Sequence, residues 1–148
     1  TAVWAAKMGM HLQSATLKED ETGEPFHVQQ ARQIRVFKEA WKEAGHSHAP
    51  RTSVSRSIFA IVNDQDRAYF AGRPERDQVG YIEQNLRAVF GRGYANEPEK
   101  LIEELTQDAA IAEADTLLLT IPNTLGVDYN AHVMEAIMTH IAPAMGWR

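Results

Sequence analysis

Between Asp115 and Pro122 the chain reads Thr-Leu-Leu-Leu-Thr-Ile, a run without charge that stops at a residue unable to donate to a β-ladder. A half-solvated antiparallel strand would alternate apolar with polar residues, so this run predicts a strand buried on both faces, as parallel strands are. Parallel strands cannot be joined by a tight turn. They need crossovers, usually helical, and the rest of the chain should therefore alternate long amphipathic segments with short apolar ones.

The chain reads in that way from its first residues. Residues 2–8 predict a short helix stopped at Gly9, and Met10 to Gln13 a brief buried strand. Ser14 to Pro25 is a polar loop. From Phe26 to Ala44, Val28, Ala31, Ile34, Phe37, Ala40 and Trp41 recur at helical intervals, and Gly45 ends the helix. Thr52 to Val62 is rich in β-branched and apolar residues and predicts a strand. Asn63-Asp64 caps a helix running through Tyr69, Gly72-Arg73-Pro74 interrupts it, and Gln78 to Val89 reads as helical again. Asn96-Glu97-Pro98-Glu99 is a helix start with a side-chain cap, and that helix should reach about Ala112. A final helix from about Tyr129 to Ile141 carries Val133, Ile137 and Ile141 on one face. The expected fold class is α/β, with parallel strands alternating with helices. The chain offers three such strands, whereas a closed barrel takes eight and about 250 residues.

Charge and composition narrow the function. With 15 Lys+Arg against 20 Asp+Glu, a net charge of -5 and no basic cluster, nucleic acid is not an expected partner. No apolar run is long enough for a bilayer, so no membrane association is expected. There are no cysteines, hence no disulfides and no thiolate chemistry, which suits a cytoplasmic protein.

Several segments carry a resemblance. Phe90-Gly91-Arg92-Gly93-Tyr94, Asn96 to Leu101, Ala114 to Leu119 and the ending Ala142 to Arg148 follow one another as in the luciferase-like flavin-dependent monooxygenases. Upstream, Thr1 to Gly9 resembles the helix after that family's fifth strand. Gln29 to Gly45 resembles the helix after the sixth, and Thr52 to Val62 the seventh strand. The resemblance implies that residues 1–148 are the carboxy-terminal part of a single (β/α)8 TIM barrel, incomplete in this chain, with 63–95 an irregular insertion or lid. It implies an oxidoreductase that uses reduced FMN, supplied by a separate flavin reductase, and molecular oxygen on a small organic substrate. A deazaflavin is the alternative cofactor. The chain alone would be inactive, because the family's first five strands carry much of the flavin site.

Residue by residue, the resemblance places Thr1, Ser14 and Arg92 at the cofactor, Thr120 and Tyr94 at the substrate, and Arg56 and Asn123 in catalytic positions. Thr1 opens a helix, where free amides suit a phosphate. Ser14 follows a strand end, and Arg56 would be an expensive guanidinium in an apolar strand unless it meets an anion. Thr120 and Asn123 flank Pro122 at the last strand end. Arg92 and Tyr94 sit in a Gly-rich connection of the kind that closes over a site.

Other residues read as structural. Arg51 is a solvated strand-end residue, and His46-x-His48 a surface loop. His132 and His140 are helix-face residues, and Asp64 with Asp66 lacks the rest of a calcium loop, so no metal is assigned. Trp4, Trp41 and Trp147 read as packing anchors. Unpaired strand edges and apolar inner faces predict self-association into a homo-oligomer. Two further readings stay open: a flavin-binding relative without catalysis, and a non-enzymatic α/β assembly module.

Overall fold

The computed structural model describes residues 1–19, 23–83, 86–122 and 124–147. By its contacts the chain forms two compact units, Thr1–Ser55 with Asp77–Gly91 and Asp108–Leu118, and Arg56–Arg76 with Arg92–Gln107 and Leu119–Arg148.

The first unit opens with helix α1 (Ala2–Lys7), strands β1 (Leu12–Gln13) and β2 (Leu17–Glu19), and the long helix α2 (Phe26–Ala44), which ends at Gly45 in the left-handed conformation. Strand β3 (Thr52–Arg56) then pairs in parallel with β1, Leu12 opposite Thr52 and Gln13 opposite Ser53. Strand β8 (Thr116–Leu119) lies on the other side of β3, giving the order β1-β3-β8. Its flanking amides donate in ascending order, Asp115 to the Thr52 carbonyl and Thr120 to the Arg56 carbonyl, both at 2.9 Å, which is the parallel sense. Helix α2 packs its apolar face in two clusters. Phe37, Ala40 and Trp41 meet Ala2, Ala5, Ala6 and Leu12, while Ile34 meets Val54 and Ala110. At its start, Gln29 and Gln30 are fully buried and donate to the carbonyls of Glu24 and Ala15, both at 2.8 Å, which ties down the preceding loop.

A second sheet of this unit is antiparallel. Strands β5 (Gln78–Glu83) and β6 (Leu86–Phe90) form a hairpin, and β2 pairs on the free side of β6. The helix expected over Gln78 to Val89 is therefore corrected to a hairpin, and part of the expected 14–25 loop is its third strand. Gly80 is disfavoured inside a helix, and Val79, Tyr81, Ala88 and Phe90 recur at the two-residue period of a strand. Helix α5 (Ala109–Glu113) completes the unit.

In the second unit, strand β4 (Ile58–Ala60) pairs in parallel with β7 (Tyr94–Asn96), Ile58 opposite Tyr94. The expected strand 52–62 thus divides at Ser57, where it changes partners; the Tyr94 amide donates to the Ser57 carbonyl at 2.8 Å. Helix α3 (Asp64–Phe70) is capped by Asn63 as expected. Phe70 stacks on Phe59 at 4.0 Å, with the Arg73 guanidinium within cation–π range of both rings.

Helix α4 (Pro98–Thr106) starts at the expected place, but its N-cap is Glu97, and the Asn96 side chain contacts the Glu97 amide at 3.3 Å instead of capping the first turn. It also ends early. Asp108 accepts hydrogen bonds from the Ala110 and Ile111 amides and so begins α5 as a separate helix. Helix α6 (Val127–Ala136) passes into a π-helical turn, Ile137–Ile141, and then α7 (Ala142–Met145). Pro143 has no N–H for the Thr139 carbonyl and its ring would crowd that group, so the wider turn precedes it. Val133, Ile137 and Ile141 are buried as their spacing implies.

Two burial expectations fail. Leu117 packs against the Ile34 cluster, but Leu118 is 41% exposed, so β8 is covered on one face only among the described residues. Trp41 is a buried anchor, Trp147 is half-buried, and Trp4 is 60% exposed. The fold is mixed α/β with parallel strands and helices, and the described strands do not close a barrel. No described helix is long and apolar enough to cross a membrane.

Gly91 is needed for close approach. A Cβ there would stand 2.7 Å from Cδ1 of Phe26, whose ring is 2% exposed and has no room to retreat. Gly91→Ala should therefore cost about 1–3 kcal/mol, read as a lowered thermal midpoint by circular dichroism. Gly93→Ala, whose Cβ would meet its nearest neighbour at an ordinary 3.7 Å, should leave the midpoint nearly unchanged.

Candidate functional site

The side chains with the most chemistry lie in the second unit, around Asp66. Asn63 caps α3 by accepting the Asp66 amide at 2.8 Å, and the Asp66 carboxylate reaches back to accept the Val62 amide at 3.1 Å. This is the reciprocal logic of a capping box, and it turns Asp66 inward, where the residue is 1% exposed. The other carboxylate oxygen, Oδ1, accepts from two α6 side chains, the Tyr129 hydroxyl and His132 Nε2, the latter at 2.9 Å. Tyr129 and His132 are three residues apart, on one face of the helix.

The donors decide the protonation pattern. A carboxylate accepts only, so His132 must carry its proton on Nε2 to face Asp66. Asn63 Nδ2 also lies 3.2 Å from that nitrogen, but an amide NH2 can only donate, so this is a contact and not a second hydrogen bond. The neutral ring then holds its lone pair on Nδ1, which has no hydrogen-bond partner among the described residues. Burial pushes the Asp66 carboxyl up; the bonds from Tyr129, Val62 and His132, with the imidazolium charge when present, outweigh it and hold the group below its ordinary 3.8. Burial, reinforced by the bond to Asp66 and that carboxylate's charge, pushes the Tyr129 hydroxyl well above its ordinary 10.0.

An open cleft of about 410 Å³ lies beside this cluster. Asn63 and Gln65 line it from the start of α3, and Leu125 to Tyr129 with His132 line it from the start of α6. Gly126, at φ 83°, makes the left-handed turn into α6. Both helices follow strands, α3 after β4 and α6 after β8, the chain position where α/β folds place ligands.

The expected site residues fall elsewhere. Thr1, exposed, precedes α1 without a side-chain cap bond, and a helix of six residues makes a poor anion site. Ser14 is 2% exposed; its amide extends the β1–β3 ladder and its hydroxyl donates to Gln33 Oε1 at 2.8 Å. Arg56, at the end of β3, is 4% exposed, and its backbone carbonyl holds the amide of the exposed Thr120. Arg92 lies over the Tyr94 ring at 4.3 Å, donates to the Glu75 carbonyl at 2.7 Å and pairs with Glu104 at 3.0 Å. Tyr94 is 4% exposed within β7. The Gly-rich connection is thus pinned by strand pairing and an ion pair. Asn123 lies outside the described residues. The structure joins Arg92 with Tyr94, and Arg56 with Thr120. Thr1 and Ser14 belong to the other unit.

Asp66, Tyr129 and His132 were not expected as a site, and His132 is more than a helix-face residue. The cap pattern Asn63-x-x-Asp66 and the spacing Tyr129-x-x-His132 are both legible, but nothing local joins them across 63 to 66 positions. The other histidines also do more than expected. His46 donates to the Ala6 carbonyl at 2.7 Å, and His11, His46 and His48 gather round Trp41. Among the described residues no cluster of His, Asp and Glu could hold a metal ion.

Two titrations test the network. Asp66 is depressed in the folded state, so its contribution to stability is present above 3.8 and lost as pH falls through the lower folded value. Acid unfolding should therefore include a step below 3.8 that Asp66→Asn lacks. Tyr129 is raised, so its contribution persists below 10.0 and is lost only as pH rises through the elevated value. Phenolate absorbance of the folded protein should show one tyrosine resisting ionisation well past 10.0, and Tyr129→Phe should remove that late step.

No family model matches this chain, and no curated protein matches it in sequence. In fold it is similar to the crystal structure of the monooxygenase RslO1 from Streptomyces bottropensis, with a TM-score of 0.63 at 13% identity. The match covers 97% of this chain and 44% of that one, so the chain spans less than half the length of the solved structure. At this identity the likeness is one of fold.

Proposed function

We propose that this chain is the carboxy-terminal part of a larger oxidoreductase of the monooxygenase class, built as a luciferase-like (β/α) barrel. The observation that carries the reading is the fold likeness to a monooxygenase along 97% of the chain. The parallel order β1-β3-β8 supports it, and so does the exposed Leu118, whose face further barrel strands would cover. The order of sequence segments described above points the same way.

Reduced FMN from a separate reductase, or a deazaflavin, is the cofactor this reading carries, and it would supply oxygen activation. Two of the residues expected to hold it are engaged within the chain. The Ser14 hydroxyl is committed to Gln33, and the Arg92 guanidinium to Glu75, Glu104 and Tyr94. Further flavin contacts would come from other parts of the barrel. The proposal includes a homo-oligomer and a small organic substrate.

Flavin titration of the protein expressed from its full coding sequence, followed by flavin fluorescence and then by oxygen uptake with an added reductase, tests the reading. Saturable flavin binding with substrate-dependent oxygen uptake is the expected result. Binding without turnover would point to a non-catalytic flavin-binding relative, and no binding of FMN or deazaflavin would overturn the proposal.

A further inference from the structure

We propose that His132 is a proton acceptor for a neutral, weakly acidic hydroxyl group, a phenol or an enol, bound in the cleft at the start of α6. The inference stands on the cleft and does not require the flavin reading.

The geometry supplies the acceptor. Asp66 receives Nε2–H at 2.9 Å and leaves the Nδ1 lone pair as the ring's free basic atom. His132 lines the cleft and its side chain is 32% exposed, whereas the Asp66 side chain is 2% exposed, so the ligand would meet the imidazole and not the carboxylate. Asp66 is a positioning residue: it selects the tautomer, and its negative charge stabilises the imidazolium that forms. In the transfer the ligand O–H bond breaks and its electron pair stays on oxygen. The proton bonds to Nδ1, and Nε2–H remains on Asp66.

The lining selects the ligand class. An imidazole takes a proton appreciably only from acids not far weaker than imidazolium, which excludes aliphatic alcohols. Carboxylic acids are already ionised near neutrality and have no proton to give to Nδ1, and phosphates reach the cleft largely as anions. Phenols and enols remain: neutral in solution, yet acidic enough. Leu125 and Val127 offer apolar contact to a ring, and the amides of Asn63 and Gln65 can donate to the oxyanion or to other polar substituents. Tyr129 does not compete for the role, because its hydroxyl is held by Asp66.

The test uses para-nitrophenol as a chromophoric probe, added to the protein at a pH where the free probe is mostly neutral. Phenolate absorbance reports the transfer, and proton–nitrogen spectra of the imidazoles report where the proton goes. On saturation the phenolate fraction should exceed that of free probe by roughly tenfold, and His132 should gain a second ring proton. His132→Gln, on the cleft wall, should keep the fold and lose the phenolate signal. Asp66→Asn should reduce the signal and mix the two His132 tautomers, which a purely structural Asp66 would not do. Saturation without phenolate, an equal signal from His132→Gln, or no shift of cleft resonances at any probe concentration would each overturn the proposal.

Discussion

Parallel pairing is the constraint on which the rest of this structure depends. Neighbouring parallel strands cannot be joined by a two-residue turn, so each pair requires a crossover. Between β1 and β3 that crossover contains α2, whose apolar face then has the sheet and α1 to bury against. Between β4 and β7 it contains α3, and the cap of α3 places Asp66 where no solvent reaches it. The helices are thus consequences of strand direction, and the candidate cleft lies at the starts of two helices that follow strands.

Burial gives the Asp66 cluster its character. A lone carboxylate removed from water would be driven towards its neutral form. Here three donors from two segments meet it: the Val62 amide ahead of α3, and the Tyr129 hydroxyl and His132 on α6. Their combined effect exceeds the desolvation cost and keeps the group ionised, and in doing so fixes the orientation of both α6 side chains. The same low-dielectric setting that makes the pairing costly to break makes the imidazole's tautomer definite.

The legible parts of the fold are those decided within a few turns of chain. Helix α2 appears with the bounds its periodicity and Gly45 imply, and the Asn63 cap, the Pro98 start and the apolar face of the last helix appear as read. The misread parts are those where two local signals compete or where a partner decides. Gln78 to Val89 has residues that suit either helix or hairpin, and β2 supplies the third strand that makes the hairpin worth forming. Asp108 is a cap signal inside an otherwise continuous helical pattern, and the cap prevails because it satisfies two amides at once. Ser14 and Arg92 read as ligand-facing because they are polar at strand ends and glycines; in the folded chain they also meet Gln33, Glu75 and Glu104, partners that local sequence does not reveal.

The amino-acid sequence by itself determined the Asn63 cap, the Pro98 helix start and the long amphipathic face of α2, because each follows from backbone geometry and neighbours within one or two turns. Only the tertiary structure decided that the strand through Ser57 changes partners, that β8 has one face uncovered, and that His132 meets Asp66. Those outcomes depend on groups brought together from distant positions, and the energy of a buried carboxylate becomes apparent only when all of its donors are in place.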